Sequence, residues 1–294
     1  SLPLRCPVSN GSFVVALRSL IGGAGTLCAL LQLGSGCGSQ GGQAMTDGAA
    51  DLAEADMADP SHDMAAPPLL ATFGGCDGPL FADGTKPQDL STQTAFDSAW
   101  TTNWAKPQIK EGALTFGPHP LTADWWDNYS PTATVAKPGD VLICARMRLM
   151  SQQNDPAGDN SFELTMRNPD AAMYETSGMV LLIEGNASQV GLRTRTGADT
   201  WVRYARAPLR MESGNQTTFD LLLYGQGSRF VAEVKNHNTG EIVRMRGDAP
   251  LPAGGAVTMV GWRSRNGIFV DKLIFGAPSV QAGEQLMTAL SPLP

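Results

Sequence analysis

The sequence predicts an all-β protein, a two-sheet antiparallel jelly-roll sandwich that follows an N-terminal leader and a spacer. Three observations lead there. The chain of 294 residues holds 33 glycines and 20 prolines, a turn-rich composition that argues against a helical bundle. From Ala113 onward, short apolar or alternating runs recur between Gly, Pro, Asn and Asp. No comparable stretch sustains the 3.6-residue apolar period that a helix face requires.

The first segment, residues 1–37, reads as an export signal. Arg5 and Arg18 supply positive charge, and Leu20–Leu33 (LIGGAGTLCALLQL) is an uninterrupted run free of charge. A membrane-spanning helix needs about 20 apolar residues, so this run is short for a span and suits a signal-peptide core. The segment Leu33-Gly34-Ser35-Gly36-Cys37 follows. It resembles a bacterial lipobox, in which a Cys after small residues is acylated and becomes the new N-terminus. Here Leu33 stands four residues before the Cys, one more than the usual pattern. The resemblance implies a lipid anchor on Cys37 as the only membrane contact. Plain secretory cleavage and an uncleaved anchor are the alternatives, and all three place the remaining chain outside the cytoplasm, at an outer membrane, at the cell surface or in the medium.

Residues 38–75 form the second segment. Asp47, Asp51, Glu54, Asp56, Asp59 and Asp63 occur there with no Lys or Arg. Such a composition cannot bury enough apolar surface to offset the entropy of ordering, and a disordered acidic spacer is expected. ADLAEADMADPSHDMAAPP within it resembles the Asp-Met-Ala-Pro tracts that follow the anchor in myxobacterial lipoproteins.

Residues 76–280 carry the strands: Ala113–Phe116, Val141–Met150, Phe162–Arg167, Met179–Glu184, Gln189–Arg195, Trp201–Arg206, Phe219–Tyr224, Arg229–Lys235, Glu241–Arg246, Ala256–Trp262 and Ile268–Phe275. Gly225-Gln226-Gly227-Ser228 and Asn236-His237-Asn238-Thr239-Gly240 have the residues of hairpin connections. This many short strands handle their edges by curling two sheets into a jelly roll. Residues 281–294 are a tail in which Gln281–Ala289 is a candidate short helix.

Two segments carry a family resemblance. Phe96-Asp97-x-x-Trp100-x-x-x-Trp104 followed by Ile109-Lys110-Glu111-Gly112-Ala113-Leu114 resembles the first strands of concanavalin A-like sandwiches. Gly267-Ile268-Phe269-Val270-Asp271-Lys272-Leu273-Ile274-Phe275 resembles the last strand of that group and of carbohydrate-binding jelly rolls. The resemblance implies a fold with glycan-binding and glycan-cleaving relatives, but a fold alone assigns no function. In related jelly rolls an Asp at the place of Asp271 helps hold a structural Ca2+. The residue reading adds that strict alternation puts Asp271 on one face with Phe269, Leu273 and Phe275. A carboxylate there would need a metal, backbone amides or an Arg.

Other candidates come from the residues themselves. Trp125, Trp126 and Tyr129 follow Pro118-His119-Pro120, and exposed aromatic rings are platforms for apolar sugar faces. Covering the edge of the core is the alternative role. Trp100, Trp104, Trp201 and Trp262 are expected in the core or on a sheet face. Arginines recur at i, i+2 as Arg146/Arg148, Arg193/Arg195, Arg244/Arg246 and Arg263/Arg265. That spacing puts each pair on one strand face. If the strands share a sheet, the pairs make a basic stripe for acidic glycans; otherwise they pair with Glu163, Glu233 and Glu241. Cys76 and Cys144 remain after processing, and in an oxidising compartment a bridge is expected, with one buried and one free thiol as the alternative.

The formal net charge of −7 argues against nucleic-acid binding. No Gly-x-Ser-x-Gly, His-x-x-x-His or Cys-x-x-Cys spacing occurs. Glu163 and Glu184 are strand carboxylates that a glycosidase could use, but spacing alone does not bring them together. The sequence therefore points to a non-catalytic module for a carbohydrate or cell-surface polymer. A diverged hydrolase or lyase and a structural envelope protein are the alternatives.

Overall fold

The computed structural model describes residues 67–104, 107–118, 129–134, 141–150, 160–169, 178–197, 200–211, 214–262 and 266–291. The expected leader, Cys37 and most of the expected spacer lie outside these residues, as do Trp125, Trp126 and the Arg263/Arg265 pair.

The described chain is a two-sheet antiparallel β-sandwich. In order it forms α1 (Leu69–Thr72), α2 (Gln93–Ala99), β1 (Thr101–Trp104), β2 (Gln108–Lys110), β3 (Ala113–Phe116), β4 (Tyr129–Thr134), β5 (Val141–Met150), β6 (Ser161–Asn168) and β7 (Met179–Glu184). Then follow β8 (Gln189–Gly197), β9 (Thr200–Pro208), β10 (Gln216–Gln226), β11 (Arg229–Asn236), β12 (Ile242–Asp248), β13 (Ala256–Trp262), β14 (Ile268–Gly276) and α3 (Val280–Leu290). Sheet 1 has the order β1-β4-β13-β6-β7-β8-β9, and sheet 2 the order β12-β11-β10-β5-β14-β3-β2. All pairings are antiparallel, as the period-2 runs require.

Alternation decides which face of each strand is inward. Phe162, Leu164 and Met166 of β6 meet Phe219, Leu221 and Leu223 of β10 in one buried cluster between the sheets. Phe116 of β3 packs edge-on against Phe162, with ring centroids 5.9 Å apart. At the β10–β11 hairpin, Gln226 pairs with Arg229, leaving a two-residue turn in which Gly227 has φ 58°. That left-handed backbone suits glycine.

A second apolar cluster lies on the outer face of sheet 2. Leu142, Cys144, Leu222, Tyr224 and Val231 meet Leu69, Leu70, Phe73 and Leu80 from the N-terminal segment. Helix α3 contributes Ala282, Leu286, Ala289 and Leu290 to it. Their spacing is that of one helix face, and the Ser279 side chain caps the helix by accepting from Ala282 N.

The boundary expected at residue 75 is corrected by this arrangement. Pro67–Gly75 belongs to the sandwich and not to a spacer. Leu69 and Leu70 are buried, and their amides donate to the two carboxylate oxygens of Glu233 at 3.0 and 2.9 Å. Arg244 closes the other side of Glu233 through Nε at 2.8 Å and Nη2 at 2.6 Å, and Nη2 also donates to Pro67 O at 2.8 Å. Farther along, Cys76 N donates to the buried Asp220, which Arg146 holds through two nitrogens. Gly75 has φ 86°, and a Cβ there would sit 2.1 Å from Asp220 Oδ2. Cys76 and Cys144 are bridged, with Cα atoms 5.6 Å apart.

The segment from Phe96 also differs from expectation. Phe96 and Asp97 lie in a helix rather than in a first strand, because the Thr92 side chain caps it by accepting from Ala95 N. Helical spacing then brings Phe96 and Trp100 into a stack, centroids 5.6 Å apart, at the edge of the core.

Candidate functional site

The three arginine pairs within the described residues do not form one stripe. Arg146/Arg148 and Arg244/Arg246 are on β5 and β12 of sheet 2, whereas Arg193/Arg195 are on β8 of sheet 1. On sheet 2 the charges serve the fold. Arg146 is bonded to Asp220 and Asp77, and these contacts raise its already high pKa. Asp77 lies against Lys272 and Arg146, which hold its carboxyl at about 2. Arg244 is paired with the fully buried Glu233.

Asp271 belongs to the same structural set. Arg148 Nε and Nη2 each donate to one of its oxygens at 2.7 Å, and the guanidinium lies 4.9 Å from the Phe269 ring centroid. Of the readings of this carboxylate, the Arg-bonded one matches these contacts. Among the described residues no three His, Cys, Asp or Glu side chains converge for a metal. The face assignment also changes. Pairing of β14 with β5 shifts register between Val270 and Lys272, so Ile268 and Val270 point inward before Asp271 and Leu273 after it. One extra residue at the bulge breaks the alternation that placed Asp271 with Leu273.

Sheet 1 gathers polar chemistry on its outer face. Val190 and Leu192 of β8 enter the core, which turns Gln189, Gly191, Arg193 and Arg195 outward. The β8–β9 ladder sets Arg195 opposite Trp201, Arg193 opposite Arg203, and Gly191 opposite Arg206. Arg193 lies flat against the indole of Trp201, 3.8 Å from Cζ to centroid, and Arg195 lies 5.4 Å from the same ring. Arg193 Nη2 donates to Glu163 Oε1 of β6 at 2.6 Å, while its buried Nε has no hydrogen-bond partner. Arg206 donates to Gln189, which donates to Glu184 of β7. Arg203 and Arg206 are exposed. Gly191 is itself buried, and a Cβ there would lie in ordinary contact, 3.6 Å from the Ala205 carbonyl oxygen.

Glu163 and Glu184 also share this face. Glu184 is opposite Ser161 and Glu163 is opposite Leu182, which makes the two carboxylates diagonal neighbours with Cα atoms about 7–8 Å apart.

The expected site residues are thus partly assembled. Arg193 and Arg195 share the cluster just described. Tyr129 begins β4 of the same sheet, opposite Gly261 of β13. Four strand spacings separate β4 from β8, or about 19 Å laterally. Arg203, Arg206 and Gly191 adjoin this cluster and were not singled out by the sequence reading, and Trp201, expected in the core or on a sheet face, lies within it. The signal was available: Trp201 and Arg203 repeat the i, i+2 spacing of Arg193 and Arg195 across a short connection.

The geometry is that of a two-sheet antiparallel β-sandwich with an Arg–Trp cluster on the outer side of β8 and β9. No protein-family model matches the chain, and no curated protein matches it. Among solved structures, the chain is similar to the CBM2 module of Lactobacillus casei BL23 phage J-1 evolved Dit, at 11% identity and TM-score 0.50, covering 67% of this chain and 96% of that one. It is also similar to the carbohydrate binding module CBM66 from Bacillus subtilis, at 12% identity and TM-score 0.40, covering 61% and 93%. A further likeness is to the potassium-bound Emp46p carbohydrate recognition domain, at 12% identity and TM-score 0.46, covering 67% and 97%. At these identities the likeness concerns the fold.

Proposed function

We propose that this is an exported, non-catalytic module that binds a carbohydrate or cell-surface polymer through the outer face of sheet 1. The observation that carries the reading is the Trp201–Arg193–Arg195 cluster beside the exposed Arg203 and Arg206 of β9. On sheet 2, α1, α3 and the N-terminal segment pack on the outer face over β5, β10 and β11. Trp125, Trp126 and Tyr129 belong to the proposal as further aromatic contacts; of these, Tyr129 begins β4 of the same sheet. A structural Ca2+ is compatible with this fold class, but we place none at Asp271, whose oxygens accept from Arg148. Export and lipidation follow from the signal-like residues 1–37 and the lipobox-like Cys37, with an acidic spacer between Cys37 and Pro67.

The test is retention of the full processed chain on an array of neutral and acidic glycans. Trp201→Ala and Trp126→Ala should each weaken retention while the melting transition is preserved. No retention on any glycan by the wild-type chain, or both variants binding like wild type, would overturn the proposal. A glycan hydrolase is the second reading, favoured by the diagonal placement of Glu163 and Glu184. Release of reducing ends from a bound polymer, abolished by Glu184→Gln, would replace the first reading with the second.

A further inference from the structure

We propose that Arg206 is the residue through which the outer face of sheet 1 grips its ligand, and that Gln189 and Glu184 are its positioning residues. The inference rests on the reading of this face as a glycan-binding surface and names the contact that makes the binding.

The arginines of this face divide into those the fold uses and one that it presents. Arg193 lies against Trp201 and donates to Glu163, and its side chain is only 15% exposed. Arg195 is buried beside the same ring. Arg203 is exposed but has contacts of its own. Arg206 is exposed, and its hydrogen bond among the described residues goes to a neutral side chain, that of Gln189.

The register explains that bond. Gln189 of β8 stands opposite Glu184 of β7 on one side and Pro208 of β9 on the other, while Arg206 stands opposite Gly191. Pro208 carries no polar side chain and Gly191 carries no side chain at all. Neither Gln189 nor Arg206 therefore has a side-chain partner directly across the β8–β9 ladder. The two long side chains meet on the diagonal instead, where Cα atoms about 7–8 Å apart are within their reach.

Chemistry sets the direction of the relay. A carboxylate only accepts, so Glu184 takes the Gln189 amide nitrogen and turns the amide oxygen toward β9. That oxygen accepts from Arg206 Nε. A guanidinium held by Nε keeps its far edge, Nη1 and Nη2, for another partner, and no bond to either nitrogen occurs among the described residues. The edge is planar with two donors side by side, which suits a pair of oxygens. Two glycan groups offer such a pair, a carboxylate and adjacent ring hydroxyls. Glu184 and Gln189 are half-buried, whereas Arg206 stands exposed on the edge strand β9. Holding the guanidinium in place before the ligand arrives removes part of the ordering penalty of binding, worth about three- to tenfold in affinity for one long side chain.

The experiment measures affinity of the full processed chain for dextran, polygalacturonate and methyl-esterified polygalacturonate, alongside the glycan array. Arg206→Ala should lower affinity for each glycan the wild-type chain retains about tenfold, with the melting transition preserved. Arg206→Lys should lose as much, because an ammonium lacks the paired donors. Gln189→Ala should lower affinity about three- to tenfold, and by nothing further in an Arg206→Ala background, since its effect passes through that residue. Glu184→Gln, whose amide can donate as well as accept, should give a smaller loss that also vanishes in that background. Equal affinity for the acid and its ester assigns the hydroxyl pair, and preference for the acid assigns the carboxylate. Arg206→Ala or Arg206→Lys binding like wild type, while Trp201→Ala still weakens binding, overturns the inference and leaves the glycan-binding reading standing. An undiminished effect of Gln189→Ala in the Arg206→Ala background overturns the positioning roles. Retention of no glycan by the wild-type chain overturns both readings.

Discussion

Glu233 is the buried carboxylate whose removal tests the architecture most directly. It is fully buried, accepts from the amides of Leu69 and Leu70 and from two nitrogens of Arg244, and so joins the N-terminal segment to β11 and β12. Glu233→Ala breaks a buried ion pair by removing one of its members, a defect that costs about 3–5 kcal/mol. The two amides lose their acceptor as well. Against a domain stability of about 5–15 kcal/mol this is a large fraction, and it corresponds to a fall in Tm of about 10 °C. The double variant Glu233→Met with Arg244→Met separates the two roles. Well-packed apolar replacement of a buried ion pair is often neutral, so a plain ion pair predicts near-recovery. The amides of Leu69 and Leu70 still need an acceptor, so the clasp predicts a residual loss of about 2 kcal/mol. Urea unfolding followed by tryptophan fluorescence gives both numbers, and limited proteolysis reports release of Pro67–Gly75. A loss below about 1 kcal/mol for Glu233→Ala, with the segment still protected, would refute the reasoning.

Further outcomes follow from the same face and from the leader. Replacing Cys76 and Cys144 by Ser removes a bridge spanning 68 residues, which chain entropy values at about 4 kcal/mol, and denaturant midpoints should fall accordingly. Burial opposes ionisation of Asp220, but the Arg146 guanidinium and the Cys76 amide outweigh it and hold the carboxyl below its ordinary range; Lys272 and Arg146 hold Asp77 at about 2. Both carboxylates are more acidic folded than unfolded, so their stabilisation is present above about pH 4 and lost as pH falls toward 2. Tm measured from pH 6 to pH 2.5 should drop more steeply for wild type than for Asp220→Asn, and parallel curves would contradict the assignment. Cys37→Ala should move the protein from a detergent-phase membrane fraction to the soluble one, and globomycin should block processing; unchanged mobility in both would remove the lipid anchor.

Most strands were legible because their two faces differ. Val141–Met150 and Met179–Glu184 have the same limits in sequence and structure, since one buried face imposes period-2 alternation. The short β1, β2 and β4 were not legible as separate strands, for runs of three to six residues give alternation little room. Asp271 was misread because one bulge residue reverses every inward position after it, and nothing local announces the bulge. Leu69 and Leu70 sit in a Pro-, Ala- and Gly-rich stretch, and the carboxylate that orders them is more than 160 residues away. The i, i+2 arginines were visible, but only the sheet order separates Arg193 and Arg195 on sheet 1 from Arg146/Arg148 and Arg244/Arg246 on sheet 2, where Arg146, Arg148 and Arg244 hold carboxylates of the fold.

The N-terminal clasp also sets a load path. Any pull arriving from upstream of Pro67 meets Glu233 first and the Cys76–Cys144 bridge next, both on β strands in the middle of sheet 2. Force is thereby grounded in one layer of the sandwich, and the strands of the opposite layer are not peeled apart by it.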